Sequence, residues 1–219
     1  MDLSSTLFPA LACILIGYFL GCINPAVAVG KLKGYDPKRS GSGNPGASNT
    51  VIMAGKAAGL FVALFDIFKA AAACRLAVYL FPELRVAMHL AGLGCILGHI
   101  YPVFMRFRGG KGLACLGGVI LAYNPRTLLL MLAIAIAIGL IFRYVCIVTT
   151  TMSLVWPAYY GFVTGFWLGA AILAIPFVPI LLWHLENFRR IRSGDELRLS
   201  FLWNKAGELK RIGRSEDES

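Results

Sequence analysis

The chain has 219 residues, of which 58% are hydrophobic and 15% charged, and its formal net charge is +10. A mean hydropathy of +0.72 is too apolar for an ordinary water-soluble domain and predicts an integral membrane protein. Several apolar runs reach the roughly 20 residues that a helix needs to cross a bilayer, and they lack the alternation of barrel strands. We therefore expect an all-α, polytopic membrane protein.

The apolar runs predict seven transmembrane helices in a single domain, residues 1–205, followed by a polar cytoplasmic tail, residues 206–219. The fourth run is short and stands only three residues from the fifth, so five or six spans with a re-entrant or tilted segment is the alternative. No fixed structure is expected for the acidic end, 215–219. The predicted spans are 8–29, 56–81, 86–105, 112–123, 126–142, 145–163 and 166–184.

The basic residues are concentrated in alternate loops and in the tail, whereas the opposite loops contain only Arg85 and Arg126. The positive-inside rule then places the N-terminus outside and the basic loops and C-terminus in the cytoplasm. This topology explains most of the net charge, so we predict no nucleic-acid partner. The basic loop residues are Lys31, Lys33, Lys38, Arg39, Lys56, Arg106, Arg108, Lys111 and Arg143.

The first candidate site is the small-residue stretch 41–49. Glycines let backbone N–H groups turn toward a ligand, and a helix that starts near Ala47 adds its free donors and positive dipole end. We predict that this stretch binds a phosphate group; a solvated loop between helices is the alternative. The residues predicted to contact the phosphate are Ser42, Gly43, Asn44, Gly46, Ser48 and Asn49.

Two opposite charges lie inside the second predicted span. Asp66 and Lys69 are three residues apart, which places them on one helix face, where they would neutralise each other. A pair that fixes helix packing and a catalytic role for either residue are both compatible with this spacing.

The second candidate site follows the sequence His99-Ile100-Tyr101-Pro102 and consists of Gly109, Gly110, Lys111 and Gly112. Lys111 places a compact positive charge at the start of the next helix, where a phosphate would also meet free backbone donors. A membrane-edge turn with a snorkelling lysine is the alternative. His99 is interpreted as a residue of helix packing.

The third candidate site closes the last span. His184, Asn187 and Arg190 recur at intervals of three, so they lie broadly on one helix face at the membrane boundary and can hydrogen-bond a polar acceptor molecule. The alternative is a helix end whose basic residues favour its dipole, which explains the arginines but not His184 or Asn187.

The six cysteines include no C-x-x-C pair, and the sequence has no His/Cys cluster at metal-ligand spacing. We therefore predict neither disulfides nor a metal site, and no cofactor.

At these three motifs the chain resembles the bacterial acyl-phosphate:glycerol-3-phosphate acyltransferases, integral membrane enzymes that begin phospholipid synthesis. Residues 40–49 match S-G-S-G-N-x-G-A-[ST]-N, residues 109–112 match G-G-K-G, and residues 184–190 match H-x-x-N-x-x-R. The resemblance implies a seven-helix fold in the bacterial inner membrane, with its active site at the cytoplasmic face. It also implies acyl transfer from acyl phosphate to the 1-hydroxyl of glycerol 3-phosphate, giving lysophosphatidic acid and phosphate.

Such a reaction assigns roles to the motif residues. The 41–49 stretch would hold the donor phosphate, Lys111 would offset the charge of the departing phosphate, and His184 with Asn187 would orient the acceptor. Thr149 stands near a position where the family often has serine and would supply a small polar contact. The resemblance implies that a substrate phosphate oxygen takes the hydroxyl proton, with His184 as the second candidate base.

One position departs from the family pattern, since Ile52 replaces an arginine associated with binding the acceptor's phosphate. Lys56, Arg108 or Arg143 would have to supply that charge. A divergent acyltransferase with another acceptor alcohol is therefore one alternative. An anion transporter is a weaker one, because it should carry polar residues along a continuous path. Apart from Arg126 at the first position, the stretches 126–142 and 166–183 contain no charged residue.

Overall fold

The computed structural model describes residues 3–213, with the side chains described from residue 6. These residues form eleven α-helices and two short 3-10 segments, Val103–Met105 and Leu199–Leu202, with no strand among them. The helices are α1 (Leu3–Cys22), α2 (Pro25–Lys33), α3 (Ala47–Ala54), α4 (Lys56–Leu80), α5 (Ala87–Ile100), α6 (Leu113–Tyr123), α7 (Pro125–Phe142), α8 (Val145–Thr164), α9 (Trp167–Ala174), α10 (Phe177–Ser193) and α11 (Lys205–Arg211).

Five helical stretches within 3–213 are long and apolar enough to cross a membrane, and α6 is a shorter apolar helix. The predicted all-α architecture is confirmed for residues 3–213, whereas the count of seven spans stays a prediction. The five stretches are Thr6–Lys33, Lys56–Leu80, Ala87–Met105, Pro125–Phe142 and Trp167–Ser193.

The first and last predicted spans each consist of two helices. The run 8–29 is interrupted after Cys22, because Asn24 caps α2 by accepting a hydrogen bond from the Val27 N–H at 3.2 Å and Pro25 occupies the first helical position. The last run is divided near Pro176, and α10 extends beyond the predicted end at 184 to Ser193.

The helix pair α1 and α5 packs through small residues. A Cβ added at Gly17 or Gly21 would collide with the backbone of α5, and one added at Gly94 or Gly98 would collide with the backbone of α1. Close backbone approach of this kind is typical of helix packing in membranes, where apolar side chains gain little by leaving lipid. The contact fixes the end of α5, which carries the 99–112 segment.

The chain after α10 turns back onto the helical bundle. The Leu199 N–H donates to the Arg143 carbonyl at 2.6 Å, and Lys205 Nζ donates to the Ile52 carbonyl at 2.8 Å. The described part of the predicted tail, 206–213, therefore follows a segment that is attached to the bundle. Residues 214–219, including the stretch expected to lack structure, lie outside the described residues.

Candidate active site

A cavity of about 350 Å³ lies where α3, α6 and α8 begin, a size typical of small-ligand sites. One end is polar and the other is apolar. Nine of the residues proposed from the sequence line its wall: Ser42, Asn44, Gly46, Ser48, Lys111, Gly112, Thr149, His184 and Asn187.

Three helix N-termini meet at the polar end of this cavity. Ala47, Leu113 and Val145 are the first residues of α3, α6 and α8, and all three line the wall. In each helix the first intrahelical donor is the fourth residue, so three preceding N–H groups make no bond within the helix. None of the three termini has a side-chain cap, and together they provide the positive dipole ends that favour an anion.

Asn49 and Gly43 do not reach the cavity, although the sequence analysis placed both against the phosphate. Asn49 is completely buried; its Oδ1 accepts the Ser42 N–H at 2.8 Å and its Nδ2 donates to the carbonyls of Pro37 and Ser40 at 3.0 and 3.1 Å. The Gly43 N–H donates to Ser40, within the same loop. Asn49 therefore shapes the loop that presents Ser42.

Asn44 is a wall residue with an unsatisfied polar atom. Its Oδ1 is buried and has no hydrogen-bond partner among the described residues. Buried acceptors without a partner are rare in proteins, so a hydroxyl or amide of a bound ligand would satisfy this one.

Gly109 and Gly110 also lie outside the wall, because their N–H groups are engaged elsewhere. They donate to the carbonyls of Ile100 and His99, each at 3.0 Å, which attaches the loop to the end of α5. A Cβ at Gly110 would collide with the His99 ring. These glycines therefore permit the close packing that positions Lys111, and they do not themselves offer free donors.

Lys111 begins a chain of polar contacts across the cavity. Its Nζ donates to Asn187 Oδ1, and Asn187 Nδ2 donates to Glu196 Oε1 at 2.6 Å. Arg190 Nε donates to Glu196 Oε2 at 2.7 Å. Burial lowers the pKa of Lys111 to about 8, opposed by the attraction of Glu196. The lysine thus remains charged at neutral pH.

Glu196 is a wall residue that the sequence analysis missed. Gly194 ends α10 in the left-handed conformation, and the N–H groups of Asp195 and Glu196 then donate to the Arg190 carbonyl at 2.8 and 3.1 Å. The sequence does contain a signal for this reversal of the chain, because Gly194 directly follows a basic helix end, a pattern that is typical of a C-terminal cap. As a consequence Arg190 contacts Glu196 and does not line the cavity.

His184 and Asn187 both lie in the wall, as their spacing on α10 predicts. His184 is 1% exposed, and its Nδ1 lies 2.8 Å from the Ile180 carbonyl. A carbonyl oxygen only accepts, so Nδ1 carries a proton and Nε2 of the neutral ring is free to accept one.

The wall has an apolar residue at the position where the family pattern has arginine. Ile52 is 6% exposed and lines the cavity, whereas Lys56, Arg108 and Arg143 are exposed and outside its wall. In the part of the wall that the structure describes, Lys111 is the only lysine or arginine.

The predicted pairing of Asp66 with Lys69 is confirmed, with Oδ1 and Nζ 2.6 Å apart. His99 Nδ1 is 3.5 Å from the same carboxylate oxygen and 3.2 Å from Lys69 Nζ, so it belongs to the pair as well as to helix packing. Ligand atoms of Asp66, His99 and Cys115 all lie within 4.8 Å of one another. The Lys69 ammonium already contacts both the carboxylate and the imidazole, so this group does not fit a metal ion.

The apolar end of the cavity is formed by α4, α6, α7 and α8. These apolar residues line the same cavity as Lys111 and the helix N-termini. Its aliphatic residues include Ile67, Leu116, Ile120, Leu128, Met131 and Met152.

Known proteins were compared with the chain at the level of sequence and of structure. The family model described as glycerol-3-phosphate acyltransferase matches residues 11–194. A glycerol-3-phosphate acyltransferase of Bordetella petrii is 37% identical over 201 residues, covering 89% of this chain and 95% of the relative. One of Oceanobacillus iheyensis is 36% identical over 207 residues, covering 87% and 95%.

Two solved structures have the same fold. The crystal structure of PlsY (YgiH), an integral membrane glycerol 3-phosphate acyltransferase, in its glycerol 3-phosphate form has a TM-score of 0.80 and 34% identity, covering 88% of this chain and 96% of that one. Its lysophosphatidic acid form has a TM-score of 0.76 at the same identity, covering 86% and 94%. The chain therefore belongs to the glycerol-3-phosphate acyltransferase family of integral membrane enzymes.

Proposed function

We propose that this enzyme transfers a fatty acyl group from acyl phosphate to the 1-hydroxyl of glycerol 3-phosphate, giving lysophosphatidic acid and phosphate in the first step of phospholipid synthesis. The observation that supports it best is a single cavity with a polar end, where three helix N-termini meet Lys111, and an adjoining apolar end. The names of the relatives and the two ligand forms of PlsY give independent support for the acceptor and the product.

The reaction requires positioning and charge stabilisation, since acyl phosphate already carries a good leaving group. The acceptor hydroxyl oxygen forms a bond to the acyl carbon, and the bond from that carbon to the phosphate oxygen breaks with its electron pair leaving on phosphate. The helix N-termini and Lys111 would stabilise the departing anion. The hydroxyl proton passes to a phosphate oxygen, with His184 Nε2 as the second candidate acceptor.

The acceptor would bind against α10 and the 41–49 loop. Asn187 lies in the wall, held by Lys111 and Glu196, and His184 offers a free ring nitrogen there. Asn44 Oδ1 has no hydrogen-bond partner among residues 3–213. Glycerol 3-phosphate carries hydroxyl donors that match both acceptor atoms.

For the membrane arrangement we propose seven crossings in the bacterial inner membrane, an outside N-terminus, and a cytoplasmic active site and tail. The basic loops that flank the cavity support this orientation through the positive-inside rule, and they would attract anionic substrates and membrane lipid. The domain division at residue 205 is part of this proposal. No cofactor, metal or nucleic acid has a role in the reaction.

The first test concerns the identity of the acyl donor. Purified enzyme in detergent with glycerol 3-phosphate is expected to release phosphate from palmitoyl phosphate and to ignore palmitoyl-coenzyme A, because the polar end fits a small phosphate group between helix termini. Acyl transfer from palmitoyl-coenzyme A at a comparable rate would overturn the donor assignment.

The acceptor is tested at Ile52. Ile52→Arg adds a cation to a wall residue one helical turn from Ser48. It should lower the KM for glycerol 3-phosphate by about tenfold to a hundredfold, the range that corresponds to one charge-assisted hydrogen bond. Initial rates of wild type and variant are compared with glycerol 3-phosphate and with glycerol. Higher wild-type activity with glycerol, lost in the variant, would show instead that the acceptor is an uncharged alcohol.

A further inference from the structure

Gly117 lies in the apolar end of the cavity, on α6. It is five residues beyond Gly112, which at the rise of an α-helix is about 7.5 Å further along α6. Any acyl chain whose carbonyl is held near Lys111 would pass this position.

The lack of a side chain at Gly117 is not required by helix packing. A Cβ there would lie 3.7 Å from Ile67 Cγ1 and 3.9 Å from Leu128 Cδ1, which is ordinary van der Waals contact. The next residue is different, because a Cβ at Gly118 would collide with the Ile67 carbonyl of α4. Gly118 therefore permits the crossing of α4 and α6, whereas Gly117 leaves space that belongs to the cavity.

The space next to Gly117 is a passage between α4 and α7. Ile67 belongs to α4 and Leu128 to α7, so a side chain at Gly117 would extend between them. The wall continues past this point to Ile120, one turn further along α6, and to Ala135 on α7. One cavity is thus lined both by the phosphate-binding end and by the apolar residues beyond Gly117.

We propose that Gly117 determines the length of acyl chain that the enzyme accepts, a proposal that rests on the acyl-phosphate function above. The occupant of the passage is the fatty acyl chain of the donor, because the passage is continuous with the end that binds the donor's phosphate. With glycine at 117 the passage admits long chains; a branched side chain there closes it beyond the first carbons of the chain.

The test compares octanoyl and palmitoyl phosphate with glycerol 3-phosphate as acceptor. In Gly117→Leu the kcat/KM for palmitoyl phosphate, divided by that for octanoyl phosphate, should fall by about tenfold or more. The reason is that several methylenes of the longer chain can no longer be buried in the passage. Gly117→Ala should give a smaller fall in the same direction. Leucine and alanine are better helix formers than glycine, so α6 is expected to persist.

The matched control is Ala137→Leu, which makes the same substitution as Ala135→Leu on α7 but at an exposed position outside the wall. It should keep the wild-type ratio. Ala135→Leu narrows the passage from the α7 side and should reproduce the shift, which decides the matter if Gly117→Leu does not fold.

The outcomes separate the two proposals. If the wild-type enzyme uses neither octanoyl phosphate nor palmitoyl phosphate, the proposed function itself is contradicted. If wild type is active and the chain-length ratio is unchanged in Ala135→Leu and in folded Gly117→Leu, the role of Gly117 is overturned.

Discussion

Replacing Lys111 with alanine is expected to lower kcat/KM for palmitoyl phosphate by about a hundredfold or more, a loss of about 2.7 kcal/mol in transition-state stabilisation. The ammonium is the one lysine or arginine charge in the described wall, and it lies among the helix N-termini that would bind the departing phosphate. Steady-state release of phosphate from purified protein measures the effect. Lys111→Arg should also be impaired, because a planar guanidinium does not fit a point-charge site.

The matched control is Arg108→Ala, which removes an exposed charge three residues away and outside the wall. It should leave kcat close to that of wild type. Because the pKa of Lys111 is about 8, wild-type kcat/KM should fall tenfold per pH unit well above that value as the ammonium loses its proton. Full activity of Lys111→Ala would mean that the donor phosphate binds elsewhere.

Asn187→Asp is expected to lower kcat/KM by about a hundredfold, through a different contact. Asn187 accepts from Lys111 and donates to Glu196, so an aspartate would keep the first contact and place a second carboxylate against Glu196. Repulsion would displace one of the two from the cavity, and the added negative charge would oppose binding of both substrate phosphates. The rate of phosphate release at varied glycerol 3-phosphate separates the effects on kcat and on KM.

Glu186→Gln serves as the control on the same helix. Glu186 is exposed and pairs only with exposed Arg189 among the described residues, at 3.4 Å, so its loss should change little. If Asn187→Asp retained wild-type kinetics, the contact chain from Lys111 to Glu196 would have no part in catalysis.

The sequence predicted best those features that depend on local chemistry. Long apolar runs predicted the bounds of α4 and α7 to within one residue. The spacing of His184 and Asn187 predicted that both lie on one face of α10, and both line the cavity. The break at Pro25 was also a local signal, namely an asparagine cap followed by proline, but the apolar run around it concealed the interruption.

Features that depend on tertiary contacts were not predictable in the same way. Composition suggested that the glycines at 109 and 110 offer free N–H groups, whereas the end of α5 accepts both. Glu196 reaches the cavity only because the chain reverses after Gly194 and contacts Arg190. The meeting of α3, α6 and α8 joins segments about a hundred residues apart, and no local pattern encodes it.

Direct transfer between two substrates held in one cavity is tested by a rapid-mixing measurement. Purified enzyme is mixed with palmitoyl phosphate, with and without glycerol 3-phosphate, and phosphate and lysophosphatidic acid are quantified over the first turnover. In the described wall no hydroxyl or thiol is hydrogen-bonded to Asp66, His99, His184 or Glu196, so no activated nucleophile is expected. We expect equal amounts of the two products with glycerol 3-phosphate present and no phosphate release without it. A burst of phosphate stoichiometric with enzyme in the absence of acceptor would reveal a covalent acyl-enzyme and contradict direct transfer.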